Sequence, residues 1–320
     1  MMTIPNEIMT SMTMWIFGIF QAVLLLLLAP FYSGLSRMIR ARIQSRRGPG
    51  LLQDYRDIVK LMKRQNIAPE AAGMVSQVMP YVLVGSVLVI AMGLPLFTRY
   101  SPIGGLGDLI TVIYLFALFR FFFSIAGLDS NSSFAGIGAS REVTLGVLVE
   151  PTLMLSLLVI ALGAGSTHFG VMSNIIASHQ LATPFSALIA AIALAFSVFI
   201  EMGKIPFDLA EAEQELQEGP LTEYSGPSFA IIKVGLSLKQ MVVAAIFASV
   251  VLPYGAAAEF TSSAILLGML FFFLKLTALY VIACVFENSL ARLRFMLTGK
   301  ITVIGFSVSV LAFVFYLIGL

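Results

Sequence analysis

Cysteine is almost missing from this 320-residue sequence: Cys284 stands alone, inside an apolar run. A disulfide, a C-x-x-C redox pair and a thiolate-ligated iron–sulfur cluster each need a second cysteine, so none can be built within the chain. Cys284 reads instead as a small buried apolar residue. Histidine is scarce too. His168 and His179 share a polar connection without carboxylates at metal-ligand spacing, and no metal site is expected. Charge is thin, at 11% of residues against about 25% in soluble domains. The net charge of +2 suggests neither nucleic acid nor an acidic tail. A cleavable leader is lacking as well. Met1 to Thr13 has no basic n-region, and the apolar stretch that follows is long enough to span, so it is expected to be the first helix of the mature protein.

What is abundant is apolar: 59% of residues are hydrophobic, more than a water-soluble fold can cover. A spanning helix needs about 20 apolar residues. Eight stretches qualify, at roughly 12–36, 80–98, 108–128, 144–163, 184–203, 240–258, 262–284 and 301–319. The expected fold is all-α, a polytopic membrane helix bundle of about eight transmembrane helices in one domain over 1–320. Of the 19 Lys and Arg residues, all but Arg99, Arg120 and Lys275 fall in odd-numbered connections, at about 37–79, 129–143, 204–239 and 285–300. The positive-inside rule makes those loops cytoplasmic and puts both termini on the far side of a cytoplasmic (inner) membrane.

The first loop carries Leu51, Tyr55, Ile58 and Met62 at helical spacing, with Asp54, Arg56, Asp57, Lys60, Lys63 and Arg64 elsewhere on the wheel. That describes an amphipathic helix, one that either lies on anionic headgroups or meets a partner. The third such loop is acidic, EMGKIPFDLAEAEQELQEGPLTEYSG over 201–226. Pro206 fits the opening turn of a helix and Gly219-Pro220 its end. Asp208, Glu211, Glu215 and Glu218 follow at three- and four-residue spacing, with Glu213 nearby. Such like-charge pairs destabilise a helix by about 0.2–0.5 kcal/mol each. Either the acids form a solvated face, or they line a shared cavity beneath a collar of first-loop arginines and take up protons as neighbouring charge changes. Charges inside spans favour the second reading. Glu150, beside Pro151, and Arg120 lie at comparable depth, Lys275 is deeper, and Glu201 and Glu287 guard inner ends. An ion at the bilayer centre costs about 2.5–3.5 kcal/mol unless paired or wetted. The alternatives are separate structural charges or one polar path.

The run PFD-L-EAE-EL…TEYSG, together with eight spans, a basic first loop and a polar fourth helix, resembles a complex I family: the membrane subunit that joins its peripheral and membrane arms, known as respiratory subunit 1 in mitochondria. The likeness covers essentially the whole chain. SRRGPGLLQDYRDIVKLMKRQ (45–65), RFFFSIAGLDS (120–130), GASRE (138–142) and FENSLARLR (286–294) look nearest to its hydrogenase branch, of the hydrogenase-4 and formate hydrogenlyase type. Quinone-reducing relatives have a longer segment after the Gly-Pro of the first loop and a small residue after the arginine of GA-x-R. Here Gly48-Pro49 runs through Gly50 into Leu51, and Glu142 follows Arg141. Both departures count against quinone binding.

The resemblance implies a membrane anchoring and redox-to-ion coupling subunit of a membrane-bound [NiFe]-hydrogenase complex. No cofactor is expected on this chain, the nickel–iron centre and iron–sulfur clusters belonging to partner subunits. Arg37, Arg46, Arg47, Arg56 and Lys60 would seat the hydrogenase-like large subunit and iron–sulfur small subunit. Glu201, Asp208, Glu211, Glu213, Glu215, Glu218 and Glu223 would form the cavity floor, with Arg141 and Lys204 beside it. Glu150 carries over as the fourth-helix carboxylate; Arg120, Lys275 and Glu287 join the charged path on burial cost alone. Antiporter-like membrane subunits would receive the signal. The competing expectations are a quinone-site subunit of a complex I-type oxidoreductase, a stand-alone transporter and a passive anchor.

Overall fold

The computed structural model describes residues 11–69, 72–210, 213–292 and 295–319. Its helices are α1 (Ser11–Ile43), α2 (Gln53–Met62), α3 (Met74–Gly93), α4 (Leu109–Asp129), α5 (Ser133–Ala164), α6 (Phe169–Ala177), α7 (Pro184–Glu201), α8 (Glu213–Leu216), α9 (Gly226–Val250), α10 (Ser262–Ser289) and α11 (Phe295–Ile318). Eight of them are long and apolar enough to cross a membrane, all but α2, α6 and α8. The chain is a multi-pass membrane protein built only of helices among its described residues, as its apolar runs predict.

The spans differ from the expected ones at their basic ends. α5 begins eleven residues before the expected start, leaving only Ser130–Ser132 as a connection and placing Arg141 on a helix. α9 begins at Gly226, so Lys233 and Lys239 are helical too. Apolar windows see only the part of a helix that matches the hydrocarbon; the polar turns that project beyond it, or line the interior, escape them. α2 matches the expected amphipathic helix. The expected acidic helix does not form as one piece. Turns occupy Gly203–Ala210, α8 is a single turn, and Gln217 and Glu218 take left-handed backbone angles that end it. Asp208 and Glu215 of this segment find separate partners, described below, instead of stacking on one helix. α6, on the opposite face, was not anticipated.

α3, α4, α5, α7 and α9 pack each on the next to close a ring; α1 lies on α3 and α9, α10 on α1 and α9, and α11 on α5 and α7. Small residues allow this. Ala190, Ala193, Ala244, Ala245 and Ala248 are all buried at these seams, which is where bilayer helices gain van der Waals contact. On the face opposite the basic loops, polar side chains cap helix ends. The buried Gln21 donates to the carbonyls of Ala91, Met92 and Leu94 at the end of α3. Asp108 caps α4 by accepting from Ile110 N, and Thr167 and His168 lie beside it at 2.5 and 3.7 Å.

Candidate functional site

Inside the ring, four helices each contribute charge to one cluster. Arg120 of α4 reaches three carboxylates. Its Nη2 donates to Glu201 of α7 at 2.5 Å, its Nη1 to Glu150, and its Nε lies 3.5 Å from Glu142, both on α5. Lys239 of α9 completes the group, 3.1 Å from Glu201 and 3.9 Å from Glu142, with Nζ over the Phe119 ring. The α5 spacing explains the reach. Glu142, Gly146 and Glu150 recur every four residues and so share one helix face. A Cβ at Gly146 would come within 2.5 Å of Arg120 Cδ. The missing side chain is what lets the guanidinium lie flat across α5 between two acids.

The cluster is buried except at one point. Side-chain exposure is 12% for Arg120 and 8% for Glu201, but 34% for Glu150. Such charges survive in a membrane core only when paired. Three carboxylates face two cations among the described residues, so the group can accept one proton without breaking either cation's pairing.

A cavity of about 60 Å³ joins this cluster to the acidic loop. Arg120, Glu142, Glu201 and Lys239 line one side, and Gly203, Phe207 and Asp208 the other. Its size and polar lining suit a few waters. A second void, of about 20 Å³, lies beyond Arg120 against Glu150 and Val243. Phe207 and Leu209 are buried with Leu145, Val149 and Ile200, pinning the loop beneath α5 and α7. Gly138 of the GASRE segment lets this floor close up. A Cβ there would meet Pro220 and the Ala210 carbonyl at 2.6 and 2.8 Å.

Two further acids of the loop find basic partners away from the first loop. Asp208 accepts from Arg292 Nη2 at 2.8 Å, and Glu215 accepts from Arg141 at 2.7 Å. Lys204 is buried beside the cavity's loop wall. Glu218 and Glu223 are half-buried; Glu211 and the side chain of Glu213 lie outside the described residues. The expected collar of first-loop arginines over the acids is not what the structure shows. Arg37 pairs with Asp54 and Asp57 of its own loop, and Arg40 with Glu287. Arg46, Arg47, Arg56 and Lys60 are exposed. The two loops meet instead through Ser225, whose hydroxyl accepts from Ile67 N at 2.8 Å and donates to Ile67 O at 2.7 Å. Tyr224 beside it donates to Ser76 O at 2.7 Å. Burial, then the Asp129 carboxylate, push its phenol above the ordinary value, which keeps that donor protonated.

Two expected path members lie elsewhere. Lys275 donates to the carbonyls of Leu252 and Tyr254 just past the end of α9, on the opposite face. Glu287 joins α10 to α1 through Arg40. Two cluster members were missed: Glu142, noted only as a departure from a motif, and Lys239, assigned to a loop. The signal for both was present, in the Glu-x3-Gly-x3-Glu spacing and in a lysine within a continuous helical run.

The fold and site define a multi-pass membrane bundle that holds a five-residue ion cluster above a folded acidic loop. The chain belongs to the NADH dehydrogenase family, which it matches over residues 16–318. It is 56% identical to hydrogenase-4 component C of Escherichia coli (strain K12) over 95% of this chain and 96% of that one. Formate hydrogenlyase subunit 4 of the same organism is 51% identical over 93% and 97%. NADH-quinone oxidoreductase subunit 8 of Rhodothermus marinus is more distant, at 29% over 66% of each. A chain in the structure of the membrane-bound sulfane sulfur reductase, an archaeal respiratory membrane complex, has the same fold, with a TM-score of 0.78, 92% of this chain and 99% of that one covered, and 21% identity.

Proposed function

We propose that this chain is a membrane subunit of a hydrogenase-type complex that anchors the peripheral arm and couples its redox chemistry to ion movement. Hydrogen is made or consumed at a nickel–iron site in a partner, and electrons pass through partner iron–sulfur clusters. The near-identical extent of the hydrogenase-4 and formate hydrogenlyase relatives supports the assembly. One observation carries the coupling: a line of charge that runs from Asp208 across the 60 Å³ cavity to the contiguous pairs of Lys239, Glu201, Arg120 and Glu150. A charge change at the cavity floor is felt along such a line. At about 4 Å and an effective dielectric near 20, one unit charge is worth roughly 4 kcal/mol, enough to move a proton between carboxylates. Glu150, the most exposed acid of the cluster, hands that proton or its charge to an antiporter-like neighbour in the membrane. The exposed Arg46, Arg47, Arg56 and Lys60 seat the large and small peripheral subunits on the basic face, which is cytoplasmic in this reading, with both termini across the membrane.

The test uses the assembled complex in vesicles. Glu201→Gln is expected to keep hydrogen turnover and lose the coupled ion gradient; turnover with an intact gradient would remove Glu201 from the path and favour a passive anchor. A quinone analogue is expected to leave turnover unchanged.

A further inference from the structure

α10 and α11 are consecutive, yet they part company. α10 rests on α1 and α9, and α11 on α5 and α7. The wedge between them is a cleft of about 570 Å³. Its floor is α7 and α9, through Phe199, Met202 and Phe247, and its walls are Leu279, Phe286 and Ile301. Every residue lining it is apolar. It has no part in the ion cluster, from which the buried Phe207 separates it.

From Leu279 to Leu290 the wall runs about 16 Å at helical rise, close to the depth of one leaflet, about 15 Å. That length suits one acyl chain of a leaflet, and the wholly apolar lining presents such a chain with no polar group. The basic end of the cleft carries charge. Arg292 follows Ala291 at the rim; its Nη2 holds Asp208, while its Nη1 is buried without a hydrogen-bond partner among the described residues. Lys300 is exposed beside Ile301 on α11. A buried guanidinium nitrogen left unpaired costs about 1–3 kcal/mol, and an anionic oxygen at the rim removes that cost with a charge-assisted bond.

We propose that this wedge holds an acyl chain of an anionic phospholipid from the basic-face leaflet, with its phosphate on Arg292.

The assembled complex is placed in phosphatidylethanolamine vesicles containing either phosphatidylglycerol or phosphatidylcholine that carries a diazirine on one acyl chain. Illumination should attach the phosphatidylglycerol probe to peptides of α7 and α10, with a preference of about tenfold over phosphatidylcholine, the equivalent of one charge-assisted hydrogen bond. Ala291→Trp, at the exposed non-helical rim, should cut labelling about tenfold without burden on the fold; Ala283→Leu does the same from within. The pair Arg292→Gln with Asp208→Asn, which removes both sides of that ion pair together, should bring the two probes level. Three results would each overturn the proposal: equal labelling by both probes in the unaltered complex, no lipid adducts in the wedge because a partner subunit fills it, or displacement of the probe by a quinone at equimolar amounts.

Discussion

Arg120 is the residue on which the interior depends, and the charge count around it makes opposite predictions for neighbouring substitutions. Arg120→Gln leaves Glu142, Glu150 and Glu201 facing Lys239 alone. Breaking a buried pair from one side costs about 3–5 kcal/mol, so this variant should assemble poorly, seen as loss of the subunit from purified membranes. Arg120→Lys should recover little, because a single ammonium cannot fork across three carboxylates. Removing an acid acts the other way. With Glu150→Gln the cluster has two cations and two carboxylates, a balanced group with no surplus negative charge to bind a proton. It should fold at least as well as the parent, with thermal stability within about 1 kcal/mol, yet lose coupled ion movement in vesicles. Gly146→Ala separates geometry from charge. Its methyl would occupy the space of Arg120 Cδ, and every ionisable group would remain. Defects resembling those of Arg120→Lys would tie function to how the guanidinium lies, whereas parental behaviour would show that charge alone suffices.

At the scale of elements, helix ends are held by single polar side chains that hydropathy treats as blemishes. Lys275 looks like a buried charge in search of a path, but it serves the unsatisfied carbonyls that follow α9. Lys275→Met should therefore cost about 1–3 kcal/mol of stability, measured as a lower midpoint in thermal unfolding of the purified complex, with coupling per turnover unchanged. Loss of coupling at parental stability would restore Lys275 to the charged path. The same comparison shows what was legible in the sequence. Eight spans, the α2 helix and the level match of Arg120 with Glu150 follow from apolar length, helical spacing and depth, all of which are local quantities. The partners of Asp208, Glu215 and Lys239 are not local. Arg292 is 84 positions from Asp208 and Arg141 is 74 from Glu215, and no periodicity within either segment encodes which distant cation will answer. The acidic loop shows the consequence. Read alone, its charges suggest one helix; with one partner on α5 and another in the α10–α11 connection, turns serve better, and α8 is the helical turn that remains among the described residues.

The whole molecule divides its charge by depth and by purpose. Acids and bases inside the ring are mutually paired and shielded, while Arg46, Arg47, Arg56 and Lys60 project from the basic face with large fractions of their surface free. Arg37, paired to Asp54 and Asp57, stands between the two groups and braces the first helix against its loop. Exposed pairs contribute little to folding, so reversing the outer charges tests docking without touching the bundle. The combined change Arg46→Glu, Arg47→Glu and Arg56→Glu should leave the membrane subunit inserted and thermally stable while the peripheral hydrogenase subunits appear in the soluble fraction. Docking by the parent should also weaken as salt is raised, because charges facing water are screened within about 8–10 Å at physiological ionic strength. The buried cluster should not respond to salt in that range. If salt and charge reversal left the peripheral arm attached, the seat would have to lie on the neutral surfaces near Ser225 and Ile67, where the first and third loops are already stitched together. Salt-sensitive attachment above a salt-insensitive interior would place the seat on the basic face, whereas coupling and passive anchoring are told apart by the ion gradient that the Glu201→Gln and Glu150→Gln variants keep or lose.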